Sequence, residues 1–216
     1  MSERDMKASG VHGVFVSCGY GMGTGGYSSA FEDPHRFGWM MKQLMWTLGQ
    51  RYTKSEKASA NVTSAASNAK PHLRHLALVS WSAGFASVNR ILAVPEWYAA
   101  TDTVVLLDSL HAQYIDSFES PNPHTPAQGV EKVDTRGLRR FERFAADAVT
   151  KKKTMVITHS SIIPPDYAST SEATGALLSD IGAVAEVIEK GSPGEKDGPR
   201  LPESNMALAS RLDQGN

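Results

Sequence analysis

The chain has 216 residues, 41% of them hydrophobic, which is room for one ordinary globular domain with a full core. Its 22 Lys and Arg against 23 Asp and Glu leave a net charge of -1, which argues against a nucleic-acid track or a binder of acidic surfaces and favours small molecules or proteins as partners. The single cysteine, Cys18, excludes an internal disulfide, and no apolar run approaches the roughly 20 residues that span a bilayer. The N-terminal MSERDMKASG lacks the apolar core of a secretion signal, so a cytoplasmic protein, or a secreted one whose leader has been removed, is expected. Asn61-Val62-Thr63 is a glycosylation sequon only in a eukaryotic secretory route.

In chain order, residues 11–17 (VHGVFVS) read as a first buried strand and residues 38–50 (GWMMKQLMWTLGQ) as a helix with bulky apolar side chains on more than one side. Residues 55–70, rich in Ala, Ser and Asn, read as a weak surface helix or a loop. The second strand is LRHLALVS, residues 73–80, with a helix after it over 83–93. TDTVVLLD, residues 101–108, is the third strand. The Pro-rich segment 120–129 is a loop, followed by a helix over 135–149, which turns Leu138, Phe141 and Phe144 inward and its basic residues to solvent. KKTMVITH, residues 152–159, is the fourth strand, and 170–190 the last helix. Residues 1–190 thus read as a single domain, and 191–216, rich in Gly, Pro and charge, as a loose tail.

Continuous apolar strands separated by helices imply an α/β fold, a mostly parallel sheet with helices on both faces. In such sheets the ligand sits beyond the carboxyl ends of the strands. The residues there are Cys18-Gly19-Tyr20-Gly21, Ser82, Asp108 and His159: a serine, an acid and a histidine at three of four strand ends.

Ser80-Trp81-Ser82-Ala83-Gly84, between a strand and a helix, resembles the nucleophile elbow G-x-S-x-G of the α/β-hydrolase family, with Ser80 in place of the first glycine. The order Ser82, Asp108, His159 is also the family's order of nucleophile, acid and base. The resemblance covers residues 11–159 and implies a compact or N-terminally shortened member, a three-layer sandwich carrying a serine esterase site without cofactor or metal. It implies that His159 takes the Ser82 proton during attack on a carbonyl while Asp108 fixes the imidazole, with Asp116 and Asp166 as other sources of the acid. Cys18-Gly19-Tyr20-Gly21 stands where the family has H-G-x-G, so the amides of Tyr20 and Ala83 would form the oxyanion hole.

Loops 19–34 and 160–170 would shape the pocket, with 114–129 as a small lid. Gly19, Met22, Trp81, His111, Ile162 and Tyr167 are the expected substrate contacts, joined by Tyr27 and Ile163, and point to an apolar or aromatic-tolerant ester. Trp81 packs either under the elbow or against substrate, and His111 either lines the pocket or lies at the surface.

Rival motifs are weaker. Gly21-Met22-Gly23-Thr24-Gly25-Gly26 satisfies G-x-G-x-x-G, but its last glycine opens a loop in this reading and no acid ends the next strand. His72 and His75 form H-x-x-H without a Cys or carboxylate cluster at ligand spacing, so no metal site is expected; His111 and His124 lie elsewhere.

Overall fold

Three β-rich apolar runs pair with one another. The computed structural model describes residues 10, 13–19, 24–58, 72–115, 132–183, 185–186 and 209–210. In chain order it contains α1 (Thr24–Ala30), α2 (Arg36–Ala58), β1 (Ala77–Trp81), a 3-10 turn (Ser82–Gly84), α3 (Phe85–Leu92), α4 (Pro95–Ala100), β2 (Thr103–Leu107), β3 (Gln113–Tyr114) and β4 (Val133–Asp134). A second 3-10 turn (Thr135–Leu138), α5 (Arg139–Val149), β5 (Thr154–Thr158), α6 (Thr170–Asp180), β6 (Ala185–Glu186) and β7 (Ala209–Ser210) follow. β1, β2 and β5 form a parallel sheet with β2 in the centre, in the register Trp81, Leu107, Thr158 across its carboxyl end. β3 with β4 and β6 with β7 make two short antiparallel pairs.

The expected strand over residues 11–17 does not form where it is described. Residues 14–19 have no regular structure, and Val14, Phe15 and Val16 are 56%, 48% and 44% exposed. A strand is stabilised by its neighbour's hydrogen bonds as well as by its own apolar side chains, and among the described residues this stretch pairs with no strand.

Among the described residues the sheet is covered on one face. Leu78, Val104 and Leu106 point into a core cluster that also holds Phe31, Phe37, Val88, Ile91, Leu138, Phe141, Phe144 and Leu177. On the opposite face Val79, Trp81 and Val156 are 54%, 76% and 43% exposed. Helices on both faces, as expected from the sequence, are therefore not found among the described residues: the buried side chains of α1, α2, α3, α5 and α6 belong to the same cluster as the first face. The amphipathic α5 shows why its helix is held, since Phe141 and Phe144 are fully buried, a burial worth about 1.5–3 kcal/mol for each such side chain.

Helix boundaries follow local chemistry. Ser169 caps α6, its side chain accepting from the Glu172 N–H while the Glu172 carboxylate accepts from the Ser169 N–H, a reciprocal capping box. The helix stops at Asp180, short of the expected 190, because Gly182 adopts φ +66° and the Gly182 and Ala183 N–H groups donate to Ser179 and Leu178 carbonyls, a Schellman ending. No described helix is long and apolar enough to cross a membrane.

Candidate active site at the strand ends

The carboxyl end of the sheet carries two residues in a backbone region that favours glycine. Ser82 has φ +49° directly after β1, and Asp108 has φ +46° directly after β2. A non-glycine residue in this conformation costs of order 1–3 kcal/mol, strain that clusters at functional sites.

The elbow around Ser82 is tied from below. Ser80 Oγ lies 2.8 Å from Ser109 Oγ, and the Ser109 hydroxyl donates to the Ser82 carbonyl at 2.7 Å. With the Ser109 proton committed to that carbonyl, Ser80 must be the donor of the pair, so the chain runs Ser80, Ser109, Ser82 carbonyl. Ser80 is therefore more than a small residue tolerated at a glycine position: buried, it anchors the turn. Gly84 fits closely against the same residue: a Cβ there would lie 3.1 Å from Ser80 Cβ, so the turn would have to give by a few tenths of an ångström to admit one. Ser109→Ala breaks both links and leaves Ser80 Oγ buried without this partner; an unfolding free energy lower by about 1–3 kcal/mol is expected in urea titrations.

Ser82 itself is half-buried, and its hydroxyl makes no hydrogen bond among the described residues. Ala83, the second residue of the helical segment, carries one of the N–H groups that a helix start leaves without an intrahelical partner, consistent with an oxyanion role. Tyr20 and Met22 lie outside the described residues, as do Asp116 and His124, while Gly19 is described and exposed.

Asp108 is held by three donors. Its Oδ1 accepts from the Ser160 N–H at 2.9 Å and the Thr170 hydroxyl at 2.6 Å, and its Oδ2 from the Ser160 hydroxyl at 2.9 Å. Burial alone would raise its pKa; the Thr170 and Ser160 hydrogen bonds and the nearby His111 outweigh it and hold the carboxyl below the ordinary range. The same contacts join the end of β2 to the loop after β5 and the first residue of α6.

Two histidines border the strand ends. His159 directly follows β5, half-buried, and makes no hydrogen bond to Ser82 or Asp108 among the described residues. His111 sits three residues beyond Asp108 with its ring edge-on to Phe85 at 5.3 Å and to Tyr167 at 5.5 Å. An Ala112–Ala168 backbone bridge, with the Ala168 N–H on the Ala112 carbonyl at 3.1 Å, keeps those two loops side by side. His111 Nδ1 is buried and has no hydrogen-bond partner among the described residues. Burial drives its pKa below the ordinary histidine value, while Asp108 acts the other way.

The other expected contacts separate. Tyr167 is beside His111, whereas Trp81 lies on the open sheet face and not under the elbow, and Ile162 and Ile163 are largely exposed. Asp166 is exposed. A groove of about 450 Å³ between the starts of α2 and α4, lined by Trp39 and Trp97, contains none of the strand-end residues. Among the described residues no group of three His, Cys, Asp or Glu side chains is arranged to hold a metal ion. The Ser80–Ser109 tie and the partnering of Asp108 by Ser160 and Thr170 were missed by sequence reasoning; adjacency of Ser160 to His159 was the one available signal.

No protein-family model, curated protein or solved structure matches the chain. The resemblance to α/β-hydrolases therefore rests on the chain's own residues.

Proposed function

We propose that the chain is a serine hydrolase that cleaves carboxylic esters through an acyl-enzyme, on a compact fold of α/β-hydrolase type. The observation that carries this reading is Ser82: a serine at φ +49° in the turn between a parallel strand and a helix, its hydroxyl uncommitted among the described residues. In the reaction the Ser82 hydroxyl gives its proton to an imidazole as its oxygen bonds to the ester carbonyl carbon. The alkoxide leaves with that proton, and water, deprotonated by the same imidazole, releases the acid and restores the serine. His159 and His111 both border the strand ends and can supply the imidazole. The Ala83 N–H supports the oxyanion, and the Phe85 and Tyr167 rings favour an apolar or aromatic group on the substrate.

A second reading, a hydrolase-fold protein that binds a ligand or partner without turning it over, is favoured by one observation: no hydrogen bond joins Ser82 to a histidine among the described residues. Intact mass after exposure to a fluorophosphonate separates the two. A single adduct on the wild type that Ser82→Ala lacks is the expected result. A folded wild type that takes up no adduct rejects the hydrolase and leaves the binding protein.

A further inference from the structure

We propose that His111, rather than the strand-end His159, is the general base for Ser82, its Nδ1–H donated to the unused acceptor site of Asp108. The inference rests on Ser82 being the nucleophile. Three observations lead to it.

The first is the order of the sheet. With β2 between β1 and β5 and the strands in register at Trp81, Leu107 and Thr158, the next residues stand in the row Ser82, Asp108, His159. Neighbouring strands are about 4.8 Å apart, so His159 begins about two such spacings from Ser82 with the acid in between. A proton relay needs the imidazole between hydroxyl and carboxylate. In this row Asp108 is the middle residue, and Ser160 and Thr170 hold its carboxylate toward β5 and α6, away from Ser82's strand.

The second is where the 108–111 loop lies. Its Ser109 hydroxyl bonds the carbonyl of Ser82 itself, so the loop is fastened to the nucleophile's own backbone. His111, two residues on, packs its ring against Phe85, the first residue of the helix that follows the Ser82 turn. Tyr167 packs edge-on against the same imidazole.

The third is the count of partners. A carboxylate offers about four acceptor sites, and Asp108 uses three of them, leaving one on Oδ2. His111 Nδ1, three residues away on the same loop, is buried and unpartnered among the described residues. Joining these two fixes the tautomer with a proton on Nδ1 and leaves the Nε2 lone pair for the serine proton. Contacts of this kind are commonly loose in the unliganded protein and tighten with substrate. Burial also lowers its pKa against the pull of Asp108, which favours the neutral ring that a base requires.

The test is the rate of fluorophosphonate adduct formation on full-length protein, read by intact mass. In this step the Ser82 oxygen bonds phosphorus, fluoride leaves and the base takes the serine proton. His111→Ala is expected to slow labelling by about 10²–10⁴-fold and by far more than His159→Ala, with free imidazole restoring much of the rate. His111→Phe, which keeps a ring between Phe85 and Tyr167, is expected to be as slow as His111→Ala. Labelling of His111→Phe at the wild-type rate reduces His111 to packing and overturns the inference. So does a loss confined to His159→Ala, which leaves Ser82 as nucleophile with the other histidine. A wild type that takes up no adduct removes the Ser82 reading, and this inference with it.

Discussion

Ser82→Ala is expected to lower the kcat for ester hydrolysis by about 10⁶-fold, the scale on which serine hydrolases lose turnover with their nucleophile. The size of the effect follows from how the other serines near the strand ends are engaged. Ser80 and Ser109 are buried and spend their hydroxyls on each other and on the Ser82 carbonyl. Ser160 donates its hydroxyl to Asp108. Of these four serines only Ser82 has a hydroxyl with no hydrogen bond among the described residues, and only Ser82 has the strained backbone that holds it out of the strand. The same facts make the change mild for folding. Alanine removes no hydrogen bond found among the described residues, so the urea midpoint should correspond to a stability within about 1 kcal/mol of wild type. Turnover surviving in Ser82→Ala would move the chemistry elsewhere.

How much of this was legible in the chain varies by element. The three parallel strands were, because β-branched runs at 77–81, 103–107 and 154–158 carry apolar side chains on both faces. That same feature misled about layers. The sheet was expected to be covered on both faces, yet among the described residues Val79, Trp81 and Val156 stand exposed on one of them; coverage depends on where helices dock, which no strand encodes. The start of α6 was expected at residue 170 and lies there, held by the Ser169–Glu172 capping box; its end was overrun because the stop resides in the left-handed Gly182.

The site divides in the same way. Ser82 and Asp108 are recognisable from their positions after strands, and both have the unusual backbone such positions can impose. What makes Ser82 an elbow is the hydroxyl chain from Ser80 through Ser109, between residues 29 apart that meet only when β1 and β2 pair. Chain order alone also gives no sign that Asp108 stands between Ser82 and His159, since that follows from the sheet order and not from the sequence order.

Asp108→Asn is expected to lower kcat by about 10⁴-fold while costing only about 1–3 kcal/mol of stability. An asparagine can keep its oxygen where Oδ1 accepts from the Ser160 N–H and the Thr170 hydroxyl, and its NH2 can donate to the Ser160 oxygen once that hydroxyl rotates. Most of the packing therefore survives, and the charge is lost. The damage to turnover is larger because the NH2 replaces Oδ2 as a donor. With a donor where the imidazole proton should be accepted, the histidine is driven to carry its proton on the nitrogen that must receive one from Ser82.

A pH series gives an independent check. Asp108 has a folded pKa below its ordinary value, so its carboxylate contributes stability that is complete above the unfolded value of about 3.9 and is lost as pH falls through the lower folded value. Asparagine has no such contribution to lose. The stability gap between wild type and Asp108→Asn should be full at neutral pH and close on acidification below about 3.9. A gap that stays constant through that range would mean the three donors do not favour the charged form. Turnover near wild type in Asp108→Asn would remove Asp108 as the acid, leaving its role to the joining of β2, the loop after β5 and α6.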